Sequence, residues 1–392
     1  MLRSLFSGIS GLRAHQTMLD VTGNNIANVN TTGFKASQTQ FQDTLSQVLT
    51  SAGAAQDGVG GTNAAQVGLG VRVAGITTNF QQGAAQLTNR STDMMISGDG
   101  FFVVRKGGDQ FYSRAGAFDF DSTGQLVTPD GGKVQGWAAD ASGVIDPNGP
   151  LVDMRLPIAT LMGAAPTAAA TFEGNLPADA ALGTALVRKM DVFDASGTAS
   201  DLRVTFTRTV AGWDVVGTIG AGAPVPGAIT FNPDGTLATG GSLTVGAVTV
   251  DLSTITGFAG LTTVESLSQD GRAAGTLQSF IINSDGTLLG AFSNGLKQAI
   301  GQVSLATFTN PAGLMKAGAS LYSTSVNSGD PQIGAAGSNG RGALTGGTLE
   351  MSNVDLSAEF TNLIIAQRGF QANSRVITTS DELLQELVNL KR

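Results

Sequence analysis

The sequence contains no cysteine and only one histidine, His15. The missing thiols exclude disulfides, cysteine nucleophiles and thiolate metal sites. The residues near the single histidine in the sequence do not complete a Ser-His-Asp triad or a histidine zinc site. His15 also occupies a polar position of a predicted helix, between Ala14 and Gln16, where an exposed or interface role is expected. The sequence therefore gives no positive sign of an enzyme, a cofactor site or a metal site.

Charged residues are scarce, at 13 % of the chain, about half of the usual ~25 %. The net charge of −8 argues against nucleic acid or an anionic membrane as a partner. The charge is also uneven, because residues 157–271 hold ten acidic and four basic side chains. An acidic segment of this kind is typical of a solvated outer domain.

Long apolar runs are absent as well. No stretch reaches the ~18 apolar residues that a membrane-spanning helix needs, so no membrane insertion is predicted. Ser4, Ser7 and Gly8 interrupt the first residues, and this pattern does not match a cleavable secretory signal. If the protein works outside the cell, we expect it to be exported with its N-terminus uncleaved.

Glycine is the residue in excess, with 54 of 392 positions against a usual ~7 %. One turn device recurs at residues 120–126, 231–237 and 282–288, where Asp or Asn precedes Gly between apolar residues. This arrangement supplies the positive φ of a hairpin turn and predicts antiparallel β structure. Residues 50–66 are small and of low complexity, which taken alone indicates a flexible linker.

The two ends of the chain differ from this β-like middle. Residues 2–28 and 352–390 are predicted to be amphipathic helices, and Ser352-Asn353-Val354-Asp355 matches a capping box at the start of the second. Apolar residues recur every seven positions in both, a spacing that favours packing against another helix. The partner helix is either the other end of the same chain or a helix of another copy. Gly369 interrupts the second helix, where glycine costs ~1 kcal/mol relative to alanine.

The apolar column defines a predicted assembly seam. Its members are Leu5, Ile9, Leu12, Leu19 and Ile26 in the first helix, and Leu356, Phe360, Leu363, Phe370, Ile377 and Leu384 in the second.

Several ordered motifs near both ends resemble those of the bacterial flagellar rod and hook protein family. The signature spans Asn24, Asn25, Ile26, Ala27, Asn28, Gly33, Phe34 and Lys35, and further matching stretches lie at 67–76, 96–104, 111–118, 349–356, 366–373 and 387–391. The resemblance covers about two-thirds of the chain and leaves residues 157–271 without a recognised motif.

The resemblance implies a non-enzymatic subunit that self-assembles, without cofactor, into a helical tube. The large central segment favours the hook, the flexible joint that transmits torque to the filament, over the distal rod. The implied partners are many copies of itself, the distal rod protein, the hook-cap protein, the hook–filament junction protein and the flagellar type III export apparatus. The implied location is extracellular, in the flagellum. A secreted β-rich adhesin and a glycan-active enzyme remain as alternatives of other classes.

The expected fold is a multidomain α+β protein. A coiled-coil-like core domain of both terminal helices (1–30 with 352–392) carries two mostly antiparallel β domains. A connecting segment (31–75 with 325–351) leads to an inner β domain (76–156 with 272–324), into which an outer β domain (157–271) is inserted. Within the connecting segment, Gly53, Gly58, Gly60 and Gly61 are expected to form an extended staple that contacts neighbouring copies.

Overall fold

The computed structural model describes residues 2–55, 57, 60–140, 142–156 and 162–389. The chain forms two compact units. The first is built from residues 1–156, 281–289 and 299–392, and the second from residues 157–280 and 290–298. Among the described residues, no helix is both long and apolar enough to cross a membrane. The predicted staple residue Gly58 lies outside the described residues.

A helix stands at each end of the chain, as predicted: α1 spans Leu2–Ala27 and α2 spans Leu356–Asn389. The predicted cap of the second helix is wrong by three residues. Asp355 caps α2, because its Oδ1 accepts hydrogen bonds from the amides of Ser357 (2.8 Å) and Ala358 (3.3 Å). Ser352 Oγ accepts only from the Val354 amide, at 3.4 Å. A carboxylate at this position also complements the helix dipole.

Between the helices the first unit is almost entirely β. Its strands are Ser37–Asp43, Ser46–Thr50, Ala65–Gly68, Val71–Thr78, Ala85–Leu87, Met94–Ser97, Phe101–Lys106, Asp109–Ser113, Asp119–Phe120, Leu126–Val127, Lys133–Ala138, Val152–Asp153, Met315–Gly318, Leu321–Ser323, Gln332–Ala335, Ala343–Gly346 and Thr348–Glu350, with a 3-10 turn at Pro311–Gly313. Three further strands each contain residues assigned to both units: Leu277–Ile282, Thr287–Phe292 and Lys297–Thr307.

The main sheet of the first unit is antiparallel and is organised around the strand Phe101–Lys106. Residues 101–104 of this strand are buried on both faces. The ring of Phe101 lies against Phe80 (5.3 Å between centroids) and Phe308 (5.7 Å), and Tyr112 lies 4.8 Å from Phe308. Burial in this cluster raises the pKa of Tyr112 to about 12. These aromatic side chains form a buried core of the first unit.

The second unit contains two five-stranded sheets. One runs in chain order through Ala185–Phe193, Ala199–Arg208, Trp213–Ile219, Val225–Phe231 and Leu237–Thr239, and the other joins Ser242–Val245, Val248–Asp251, Ala169–Asn175, Ile255–Thr256 and Glu265–Gln269. Ala169–Asn175 pairs in parallel with two of its neighbours, whereas the first sheet is antiparallel throughout. Phe172, Phe206 and Trp213 lie in the buried core of this unit.

The three hairpin turns predicted from the sequence are present. Gly124, Gly235 and Gly286 have φ of 78°, 82° and 83°. Each glycine amide donates to the carbonyl three residues earlier, at 2.9, 3.0 and 3.0 Å, and the flanking strands pair. Glycine adopts this backbone conformation without steric cost, so the recurring turn motif sets the hairpins of both units.

Candidate assembly site

The two helices pack together through small residues. An ideal Cβ placed on Gly8 would lie 3.3 Å from Ile377, one on Gly11 2.7 Å from the Asn373 side chain, and one on Gly369 2.5 Å from the His15 ring. As residue numbers increase along α1, the numbers of the contacting residues in α2 decrease, so the two helices are antiparallel. From the sequence alone, Gly369 was expected to reduce helix stability. In the structure, the absence of a side chain at Gly369 lets the His15 ring pack against α2.

We therefore expect Gly369→Ala to weaken the helix pair even though alanine is the better helix former by ~1 kcal/mol. The new methyl group must displace the imidazole of His15, which is edge-on to Phe41 at 5.7 Å. The measurement is the rate of limited proteolysis in α2. The matched control is Ala372→Gly, on the exposed side of the same helix, which loses helix propensity without touching α1. Slower cleavage of Gly369→Ala than of the unaltered chain would contradict the close-packing assignment.

Apart from Ile377, which faces Gly8, this contact leaves many large apolar side chains of the helices only partly covered. Of the predicted seam, Leu356 and Phe360 are 40 % and 50 % exposed, and Leu5, Ile9, Leu12, Leu19, Ile26, Leu363, Phe370, Ile377 and Leu384 are partly buried. Phe6, Ile364, Ile365, Val376, Leu383 and Val388 are also exposed. The pair of helices thus presents apolar surface to its surroundings, which in a soluble monomer is unusual over a large contiguous area. The role of the seam between copies stays a prediction.

A long β-hairpin follows α1 and spans residues 37–78. Ser37–Asp43 pairs with Val71–Thr78, and Ser46–Thr50 pairs with Ala65–Gly68. Gly53 continues the ladder by exchanging backbone hydrogen bonds with Thr62, at 2.9 and 3.0 Å. The described residues among 50–66 thus belong to the end of a hairpin, although their small side chains resemble a linker in sequence. Gly60 and Gly61 lie in its exposed loop.

Asn25 of the signature joins the end of α1 to the hairpin and to α2. Its side chain is buried; Nδ2 donates to the Ser37 carbonyl (2.7 Å) and to Glu359 Oε1 (2.9 Å), while Oδ1 accepts from the Ser37 amide (3.0 Å). Asn28 Nδ2 donates to the carbonyl and side chain of Asn24, and these bonds close the end of α1. Ile26 is partly buried and Ala27 exposed.

Lys35 of the signature lies in a buried ion-pair cluster. Its Nζ donates to Glu350 Oε1 and to the Gln81 carbonyl, both at 2.6 Å, and the side chains of Lys35 and Glu350 are fully buried. Arg114 Nη1 lies 3.6 Å from Glu350 Oε2. Burial lowers the pKa of Lys35, and the hydrogen bond and charge of Glu350 oppose that shift. Burial also lowers the pKa of Arg114. This cluster joins the segment after α1 to the segment before α2.

Gly33 and Phe34 complete this junction. Gly33 has φ of 66°, its amide donates to the Glu350 carbonyl (2.7 Å), and a Cβ there would lie 2.4 Å from the Ala115 amide nitrogen. Lys316 Nζ lies 5.0 Å from the centre of the Phe34 ring. Arg114 and Glu350 lie within the matching stretches 111–118 and 349–356. The sequence did not predict that they pair with Lys35, because the three residues are distant in the chain and a lysine beside a Gly-Phe turn is not an obvious buried residue.

Among the described residues, no group of three or more His, Asp or Glu side chains is placed to hold a metal ion. The residues that the sequence singled out gather instead at the helix pair, the hairpin and the junction.

Family models match at both ends and in the first β region. Residues 5–35 match the flagella basal body rod protein model, residues 95–161 the flagellar hook protein FlgE/F/G D1 domain, and residues 345–390 the flagellar basal body rod FlgEFG protein C-terminal model. The flagellar hook protein FlgE of Borreliella burgdorferi is 42 % identical over the whole of both chains. The chain belongs to the flagellar hook protein family.

The predicted resemblance and the prediction of a structural hook subunit are therefore confirmed, because hook proteins of this family are structural and not enzymes. A relative named flagellar basal-body rod protein FlgG, from Bacillus subtilis, is 35 % identical over the whole of both chains. Because this identity is lower than the 42 % of the Borreliella burgdorferi hook protein, the rod alternative is the weaker one. The crystal structure of Helicobacter pylori flagellar hook protein FlgE2 shares the fold, with a TM-score of 0.55 at 14 % identity over 66 % of this chain and 98 % of that one.

Proposed function

We propose that copies of this chain polymerise through their terminal helices into the hook tube, which transmits torque to the filament. One observation carries the proposal: α1 and α2 meet through Gly8, Gly11 and Gly369, and the seam residues Leu356 and Phe360 stay exposed and available to other copies. Burial of such a side chain contributes ~1.5–3 kcal/mol. A seam repeated in every subunit would supply the stiff contacts of a tube.

Replacing Phe360 with aspartate tests this proposal. Phe360 is half exposed in the single chain, so the substitution should leave the circular dichroism spectrum of the monomer unchanged. In a seam it would bury an unpaired carboxylate, which polymerisation cannot tolerate. We expect no sedimentable polymer from Phe360→Asp. Thr361→Asp, at the next position, which is also exposed, is the control and should still assemble. Normal tubes from both variants would disprove the role of the seam.

The hairpin 37–78 is the second proposed contact. It is exposed along most of its length, and Leu45, Val48, Leu49 and Val67 are among its exposed apolar residues. Residues 44–56 and 60–71 contain no charged side chain. An exposed hairpin with uncharged edges is suited to pairing with another chain. We infer that it acts as a staple between copies through the loop around Gly53, Gly60 and Gly61.

We also propose a location for this chain and the flagellar components that contact it. As a flagellar hook protein the chain is a part of the flagellum outside the cell membrane; we infer an extracellular position between rod and filament. The proposed neighbours are the distal rod protein, the hook-cap protein and the junction protein, with export through the type III apparatus. Labelling purified basal structures with an antibody to residues 157–271 separates hook from rod, since rod labelling would support the weaker alternative.

A further inference from the structure

A cavity of about 360 Å³ lies in the first unit, beside the buried aromatic cluster. The buried part of its lining is formed by Phe101, Phe308 and Arg114, which are 2 %, 8 % and 2 % exposed. Its rim is exposed and consists of Asp99, Thr309, Asn339 and Gly340, so the cavity is open to solvent. Its volume falls in the range of ~300–1,000 Å³ that is typical of small-molecule sites.

The guanidinium of Arg114 is held in place, but its donors are not satisfied. Its Cζ lies 5.4 Å from the centre of the Phe101 ring. Its Nη1 is 3.6 Å from Glu350 Oε2, which is too long for a hydrogen bond. Both Nε and Nη1 are buried without a hydrogen-bond partner. Buried polar groups without partners are rare in folded proteins, and this one lines an open cavity.

The charges around Arg114 also leave it short of an anion. The other oxygen of Glu350, Oε1, accepts from Lys35 Nζ at 2.6 Å and from the Gly83 amide at 2.9 Å. The buried cluster of Lys35, Arg114 and Glu350 therefore holds two positive charges and one negative charge. Asp99 acts on Arg114 through its charge, but in the described part of the chain no ion pair joins these two side chains within 4 Å.

We propose that this cavity binds an organic carboxylate, with Arg114 as the anchoring cation and the apolar part of the ligand against the aromatic wall. A guanidinium matches a carboxylate in charge and in bidentate geometry. The rings of Phe80 and Phe308 lie 5.3 and 5.7 Å from that of Phe101, and such a wall suits an apolar or aromatic group. It offers no hydrogen bonds to an inorganic anion such as phosphate, which is strongly hydrated.

Isothermal titration calorimetry of the purified, unpolymerised chain with sodium benzoate tests the proposal. Benzamide is the matched neutral probe, because it has the same ring and nearly the same size without the charge. Sodium phosphate is the inorganic probe. We expect saturable binding of benzoate, and binding of benzamide and of phosphate that is weaker by about tenfold or more.

Two substitutions locate the binding. Asp99→Asn removes a rim carboxylate that repels the ligand, and it should tighten benzoate binding about three- to tenfold. Asp109→Asn makes the same change in net charge at an exposed residue outside the lining, and it is the matched control that should leave the affinity unchanged. Arg114→Lys keeps the charge but loses the planar fork, and it should weaken binding by about tenfold or more. If this buried substitution prevents folding, Asp99→Asn still tests the proposal.

Several results would overturn the proposal. If benzoate does not bind saturably, water alone occupies the cavity. Equal binding of benzoate and benzamide would exclude Arg114 as the anchor, and phosphate binding as tight as that of benzoate would exclude the aromatic wall. An equal gain from Asp109→Asn would place the binding elsewhere.

The carboxylate has two possible sources, a free organic acid and an acidic side chain of a neighbouring copy. Benzoate added during polymerisation separates them. A lower polymer yield assigns the carboxylate to a neighbouring copy, whereas normal assembly with benzoate bound to the polymer assigns it to a free acid. The binding measurements need no polymer, so their outcome is independent of the hook assembly proposed above.

Discussion

Glu350→Ala is expected to destabilise the first unit by about 3–5 kcal/mol, the usual cost of removing one partner of a buried ion pair. The side chains of Lys35 and Glu350 are fully buried, and Arg114 is nearly so. Without the carboxylate, Lys35 loses its ion-pair partner in the interior, and Arg114 keeps only its interaction with Asp99. The Gly83 amide, which donates to Glu350 Oε1 at 2.9 Å, also loses its acceptor. A loss of this size is a large part of the stability of an ordinary domain.

The measurement is urea unfolding followed by tryptophan fluorescence. Trp137 lies in the first unit and Trp213 in the second, so a Trp213→Phe background leaves Trp137 to report the first unit alone. Arg90→Ala is the control, because it removes an exposed ion pair with Asp119, which is worth about 0–1 kcal/mol. Equal effects of Glu350→Ala and Arg90→Ala would show that the buried cluster does not hold the junction together.

The periodic parts of the fold could be predicted from the sequence. Seven-residue spacing identified both helices, and Asp or Asn before Gly identified three hairpin turns, since both signals act locally along the chain. For residues 50–66 the sequence indicated a flexible linker when taken alone, and an extended or hairpin-like staple in an assembly. It could not supply the pairing of the strands, because the small residues show no alternation of apolar and polar side chains. The cap at Asp355 was missed because two capping residues stand three positions apart and only the backbone path decides between them.

Long-range pairings could not be predicted. Lys35 and Glu350 are 315 residues apart, and no spacing rule connects them. The heptad pattern indicated that the helices pack against other helices, yet it could not tell which face meets the other end of the same chain. That choice depends on shape: Gly11 and Gly369 let α1 and α2 approach closely, and several large apolar side chains of the helices stay exposed.

In the free monomer, we expect trypsin to cleave α1 and α2 about ten- to a hundred-fold faster than in the polymer. Among the side chains of the helix pair whose burial is described, the buried apolar ones are those of Ala14 and Ala366, which contribute little hydrophobic stabilisation. Ordering a helical residue costs ~1–2 kcal/mol in backbone entropy. Neighbouring copies that bury even one large side chain per helix add ~1.5–3 kcal/mol. Each 1.4 kcal/mol corresponds to about a tenfold change in the open population.

The chain supplies its own sites for this measurement. Arg3, Arg13, Arg368 and Arg375 are exposed on the helices, whereas Lys35 and Arg114 are buried in the first unit. Mass spectrometry of timed digests should show early cuts at the four helical arginines in the monomer, and their protection after polymerisation. Lys35 and Arg114 should resist in both states and so serve as internal controls. Equal protection of the helical arginines in monomer and polymer would mean that the packing of α1 against α2 is enough to keep both helices folded. Assembly would then not be needed to order the two helices.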